Sequence, residues 1–460
     1  MENFWDYNVW GTLNIFAFLL LSLLAANSLK RIFPVLKASL IPTSVLGGAI
    51  LVVISGIYKL VTGDVMFDTA FFGGRGMATL EVITYHTLAL GFIASALKSS
   101  ENSFTKQRTT EIFNSGVTTV ATYLIQAVVG FTITIIAAKV MTDFFAAAGV
   151  LLPFGYGQGT GQAMNYGTIY EVEHGFVGGK SFGLTIAAMG FLSAAIGGVI
   201  HLNIMKKRGK LVLSDRRDGS THTEAVEESG EIPMQESMDK ITVQLALIAL
   251  AYFIAQLMII GLAQLIPGMK SVIYGFNFLL GVAAAAIVKT VLNFLNRKGI
   301  VRRKHTNDFL MTRCSNFFYD LMVVSGVAAI RLGILEDYWG VMLILGVVGL
   351  VITYIYNLLV AKRLFPEYPQ EQFLMMYGML TGTASTGIIL LREIDGDFKT
   401  PAADNMVYQN LPAIALGFPM MLLATLAPKK PALTMVILVV FFLALQVVLF
   451  RSFLFKRKKK

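Results

Sequence analysis

Apolar runs about as long as a membrane-crossing helix recur along the chain, joined by short polar segments. They cover roughly 10–27, 38–57, 79–97, 111–137, 181–204, 241–265, 271–293, 309–330, 335–360, 403–426 and 432–452. Spanning the hydrocarbon of a bilayer takes about 20 apolar residues in a helix, and most of these runs supply them. Two further stretches, about 144–168 and 373–391, are apolar but broken by glycine and threonine. The first contains FGYGQGTGQAMNYGT (154–168), with glycines at 155, 157, 159, 161 and 167, and the second contains TGTASTG (381–387). Irregular backbone at membrane depth persists only where protein covers it or a wet cavity faces it. The pattern predicts an all-α polytopic membrane protein with two interrupted segments.

Composition agrees. Hydrophobic residues make up 55% of the 460 and charged residues 14%, and the mean hydropathy is +0.66. A soluble domain carries about 25% charge. Intrinsic disorder, a secreted disulfide scaffold and an ordinary soluble enzyme are excluded together, and the single Cys314 forms no intrachain disulfide. The net charge of +10 suggests nucleic acid until its distribution is read: the basic residues flank apolar runs, as orientation in a membrane requires. The first run follows Glu2 and Asp6 and precedes Lys30 and Arg31, the reverse of a cleavable signal, and is expected to be retained.

Orientation follows from counting. With the N-terminus outside and both interrupted stretches re-entrant, only Lys59, Arg75, Lys139, Lys180, Lys270, Arg331, Lys429 and Lys430, eight of the 38 basic residues, fall outside. If both stretches crossed fully, the cluster from Arg297 to Lys304 would land outside, against the positive-inside rule. Re-entrance is therefore expected, in a plasma membrane, with linker and C-terminus cytoplasmic. The polar segment Gly209 to Met238, rich in Glu and Ser, reads as a disordered linker (205–240 with its flanks).

The linker separates two comparable repeats, 10–204 and 241–426, each with four runs, one interrupted stretch and one further run; 432–452 is an additional helix. Five crossings per repeat start the second on the opposite side, so the repeats are inverted. QGTGQAMNYGTIYE (158–171) aligns with TGTASTGIILLREI (381–394) at Gly159-Thr160 and Gly382-Thr383. Interrupted segments at matched positions point to a transporter's binding site. The candidate substrate residues are Gly159, Thr160, Gly161, Gln162 and Asn165 from the first stretch, and Gly382, Thr383, Ser385 and Thr386 from the second. Arg392 is a candidate partner for a substrate carboxylate. Thr160, Asn165, Thr383 and the intramembrane Asp320 are candidate ligands for a coupling cation. Competing readings are helix packing by small residues, and pairing of Asp320 with Arg313 or Arg331. A phosphate loop lacks its Gly-Lys-Thr. Glu81 and His86, five residues apart, share no helix face, which weakens an intramembrane transferase built on them.

GQGTGQA (157–163), followed by a Gly/Ala-rich helix ending in GGVIHLNIMKK (197–207), resembles the first-half signature of the sodium:glutamate symporter family, which shows G-H-G-T-G-x-A there. IPTSVLGG (41–48) resembles the family's I-P-x-P-V-x-G-G, with Pro42, Val45, Gly47 and Gly48 matching; GTASTGI (382–388) is similar to its G-A-T-P-T-A-I, with Gly382, Thr386 and Ile388 matching. Tyr156-Gly157-Gln158 departs from the first motif, and the second lacks its proline. The resemblance, over about 10–426, implies two inverted five-helix repeats, two re-entrant loops, a homodimer, and Na⁺-coupled uptake of glutamate without catalysis or any cofactor beyond the coupling ion. Transport of another small organic anion, coupled to protons or sodium, is the alternative.

Overall fold

A computed structural model describes residues 3–38, 40–98, 105–142, 144–208, 238–267, 270–300, 303–331, 338–395 and 399–451. The linker between 209 and 237 and the tail from 452 lie outside the described residues. Among the described residues seventeen α-helices follow in order: α1 (Tyr7–Ile32), α2 (Pro34–Ala38), α3 (Thr43–Thr62), α4 (Gly76–Leu97), α5 (Lys106–Val140), α6 (Leu151–His174), α7 (Gly179–Lys207), α8 (Lys240–Leu265), α9 (Lys270–Gly275), α10 (Asn277–Arg297), α11 (Asp308–Ala328), α12 (Trp339–Leu364), α13 (Pro369–Thr381), α14 (Ala384–Arg392), α15 (Ala402–Tyr408), α16 (Asn410–Leu426) and α17 (Pro431–Leu449). No strand occurs among the described residues.

The helix ends have local causes. Thr105 accepts a hydrogen bond from the Arg108 N–H at the start of α5, and Asp239 accepts one from Ile241 at the start of α8, each satisfying an orphan donor. Pro369 and Pro431 open α13 and α17, where their missing N–H is no loss. Lys and Arg fill the last turns of α1, α7 and α12, opposite the negative end of the helix dipole.

Nine of the described helices are long and apolar enough to cross a membrane, and α15 with α16 makes a tenth candidate, bent by 54°. The run at 309–330 forms α11, but Asp308, Arg313, Asn316 and Asp320 keep it out of that set. The protein is thus a polytopic helical membrane protein.

The helices form two compact units, divided within α1, α3 and α11, and each draws on both halves of the sequence. The first contains α4, α8, α9, α10 and most of α11. Its core packs Ile93 and Leu97 against Ile248, Ala251, Ala285, Val288 and Met311. Hydroxyl pairs stitch α4 to α11: Thr84 to Ser325 at 2.9 Å and Ser95 to Ser315 at 2.7 Å. Such pairs substitute for a hydrophobic drive that lipid does not supply.

The second unit contains α5–α7 and α12–α17. Both interrupted stretches belong to it. It also holds the additional helix α17, whose Gln446 donates to the Tyr356 hydroxyl of α12 at 2.8 Å.

Candidate functional site

The irregularity expected over 154–168 is confined to one residue. Gly159 has φ 81° and ψ −172° within α6, a conformation open in practice to glycine alone. The two arms of α6 fold back on each other there. Phe154 stacks on Tyr166 with ring centroids 3.9 Å apart, and Phe145 approaches Tyr170 at 5.2 Å. In a straight helix, twelve residues would separate the first pair by about 18 Å.

Tyrosine hydroxyls fasten this hairpin. Tyr123 of α5 donates to the Gly157 carbonyl at 3.1 Å, and Tyr156 donates to the Gly346 carbonyl of α12 at 2.6 Å. On the return arm, Tyr166 and Tyr170 donate to the Met421 and Ala424 carbonyls of α16, at 3.0 and 2.7 Å.

The second interruption is Gly382 and Thr383, between α13 and α14. These helices also double back: a Cβ on Gly378 would come within 2.8 Å of the Gly387 Cα, and Met375 and Met376 share an apolar cluster with Leu391. Tyr377 donates to the Ser193 carbonyl of α7 at 2.6 Å. Gln126 of α5 donates to the Leu380 carbonyl at 2.9 Å and to the Thr353 hydroxyl at 2.8 Å.

Helix α7 brings the two hairpins into register. Near its N-terminus, Gly179 meets the Gly167 carbonyl and Gly183 meets that of Ala163. Toward its C-terminus, Gly197 faces Tyr377, Gly198 faces Leu390, and the His201 ring lies 4.3 Å from that of Phe373. Between them, a Cβ on Gly190 would collide with the Thr381 carbonyl and lie 3.1 Å from the Tyr156 ring. The hairpins therefore occupy opposite ends of α7, and their breaks approach each other at Gly190.

The polar groups at this junction are buried and incompletely paired. Thr160, Thr386 and Gln126 are 0% exposed, and Gln162 is 1% exposed. Among the described residues, neither the Oε1 nor the Nε2 of Gln162 has a hydrogen-bond partner, nor does the Gln126 Oε1 or the Thr386 Oγ1. An unpaired buried group costs about 1–3 kcal/mol, and these four atoms lie on residues near the breaks, with Gln126 held to Leu380 beside the second, where a ligand or water would complete them. The Thr386 Oγ1 lies 2.7 Å from where a Cβ on Gly382 would be, which explains the glycine.

Of the residues singled out in the sequence, Gly159, Thr160, Gly161, Gln162 and Asn165 lie at or just beyond the first break, and Gly382, Thr383 and Thr386 at the second. Ser385 is in α14, its side chain outside the described residues. Arg392 is exposed at the far end of α14, about 15 Å along the helix axis from the break. Asp320 is exposed on α11 in the other unit. His86 belongs to that unit too, its Nδ1 2.6 Å from the Tyr252 hydroxyl. Sequence reading missed Gln126, Tyr123, Tyr156 and Gly190. Only Gln126 carried a signal, as an amide in the middle of an apolar run.

Compared with known proteins, the chain matches no protein-family model and no curated protein sequence.

Proposed function

We propose that the protein is a secondary active transporter that takes up glutamate or a similar acidic amino acid together with Na⁺, as a homodimer in the plasma membrane. The observation that carries this reading is the meeting of two broken hairpins at Gly190, with unpaired buried polar atoms around the junction. Each hairpin contributes one helix C-terminus and one helix N-terminus there. Free carbonyls suit a small hard cation, and N-terminal N–H groups suit a carboxylate. The resemblance of GQGTGQA (157–163) and GTASTGI (382–388) to the sodium:glutamate symporter motifs supports the substrate class.

Both hairpins are read as re-entrant, one from each membrane face, and the repeats as inverted. The support is direction: the first hairpin packs on the N-terminal part of α7 but on the C-terminal part of α16. These helices close the first and second repeats, and their opposite directions are what inversion requires. Rocking of inverted repeats about a fixed midplane site then opens the site alternately to each side. Each Na⁺ entering down a 100 mV potential supplies about 2.3 kcal/mol.

The test is uptake by purified protein in liposomes, with labelled glutamate, aspartate and other small acids and with Na⁺, K⁺ and H⁺ gradients imposed separately. Glutamate uptake should require Na⁺ and survive an uncoupler. Uptake undiminished without Na⁺ refutes the sodium assignment and favours proton coupling. Orientation has its own check. In a Cys314→Ser background, Ser220→Cys and Ser452→Cys should resist an impermeant thiol reagent in intact cells. Labelling of either from outside reverses the topology.

A further inference from the structure

One face of α5 is polar along half of its length. Glu111, Ser115, Thr119, Thr122 and Gln126 recur at steps of three or four residues, which aligns them on a single helix face. The four beyond Glu111 are at most 2% exposed. Glu111 and Gln126 are about 22 Å apart along the axis, so the stripe runs from the helix's first turns to the hairpin junction. Buried polar groups inside a membrane are costly and either join helices or line a pathway.

The stripe presents oxygen acceptors. Thr122 donates its proton to the Thr118 carbonyl one turn back at 2.8 Å, and Thr119 shares its proton between the Ser115 carbonyl and the Gln409 Oε1. A hydroxyl that spends its proton in this way keeps its lone pairs for another donor. Facing the stripe, Gln372 donates to the Ser115 hydroxyl at 3.1 Å, and Ser115 donates to the Gln409 Oε1 at 2.5 Å. Asn405 gives both amide protons away, to Tyr368 and Gln372 at 3.0 Å each. Its Oδ1 has no partner among the described residues, although the residue is 0% exposed. The Gln126 Oε1, at the other end, is unpartnered too. At the mouth, Glu111 accepts from Tyr368 at 2.6 Å and pairs with Arg108, leaving the interior neutral.

We infer that this face of α5 is the passage by which a monovalent cation moves between the hairpin junction and the Glu111 end of the protein, with the oxygens of Ser115, Asn405 and Gln409 as an intermediate station. The two unpartnered acceptors, the Asn405 Oδ1 and the Gln126 Oε1, together with hydroxyl lone pairs along the stripe, suit a cation, and the neutral side chains between them fit a single charge. As the route of the coupling ion, this assignment rests on the transport reading; as a cation passage, it is tested separately.

The experiment uses full-length protein carrying Cys314→Ser, reconstituted, with single cysteines at Ser115, Thr122 and, as a control on the opposite buried face, Leu124. Ag⁺, a thiol-reactive monovalent cation, is applied from the Glu111 side. Ser115→Cys and Thr122→Cys should react about 100-fold faster than Leu124→Cys, since a cation without oxygen donors in its path pays the membrane penalty. Na⁺ should slow both reactions, and an anionic thiol reagent should reach neither. Adding Gln409→Leu, which removes one oxygen of the station, should slow Ag⁺ at both Ser115→Cys and Thr122→Cys and leave Leu124→Cys unchanged. Equal rates at all three positions, or equal access for the anionic reagent, overturns the passage. The expected Ag⁺ pattern without Na⁺-dependent uptake by the unmodified protein retains the passage and removes the sodium-coupled reading.

Discussion

Gly190→Val should abolish the proposed Na⁺-dependent glutamate binding and uptake, and lower the thermal stability of the protein. The Gly190 position has no room even for one methyl group: a Cβ there collides with the Thr381 carbonyl and crowds Tyr156. Neither neighbour is free to retreat. Tyr156 is bonded to Ser193 at 2.8 Å and to the Gly346 carbonyl at 2.6 Å, and the peptide before Thr381 is held through its Leu380 carbonyl by Gln126. Overpacking a closed interior costs about 1–3 kcal/mol, more than the roughly 0.3 kcal/mol of helix propensity that valine gains over glycine. The two breaks are then wedged apart. Gly340→Ala, at a position with nothing within 4 Å, should leave binding and melting temperature nearly unchanged. A Gly190→Val protein that binds Na⁺ and glutamate normally would show that the breaks do not share one site.

Gln162→Met should separate stability from binding in opposite directions. Both polar atoms of the Gln162 amide are buried without a partner among the described residues, and each such atom costs about 1–3 kcal/mol. Methionine has a similar length and no amide to leave unpaired. The ligand-free variant should therefore melt higher than the unmodified protein. Its substrate and Na⁺ affinities should fall by about 5- to 150-fold, the equivalent of losing one desolvated polar contact. Thr160→Val and Thr383→Val should weaken binding in the same range, with folded yield unchanged. Thermal unfolding with and without Na⁺ and glutamate, beside isotope-binding curves, measures both effects. Lower stability with unaltered binding would make Gln162 a structural residue.

The legibility of this protein divides by the range of the interactions involved. Helix positions could be read because a bilayer demands long, self-satisfied apolar helices, and α4, α5, α7 and α8 appear within a few residues of their runs. The interruptions were legible as well, since Gly159 and Gly382 carry their signal in the residue type itself. Charge was less informative. Asp320 stood out within a predicted span, yet it is exposed on α11 in the unit without hairpins. Arg392 was near the second break in sequence but ends a nine-residue helix that leads away from it.

From the sequence by itself came the polytopic helical class and the two glycine breaks, because periodicity, hydropathy and backbone freedom are properties of short segments. Which residues meet was decided by tertiary structure alone. Gly190 looks like any packing glycine until Thr381 and Tyr156 are found against it, and Gln126 becomes part of the site only because Leu380, 254 positions away, needs a donor. Such partners are chosen by the requirement to pair buried backbone and amide groups across helices, and that requirement leaves no local pattern along the chain.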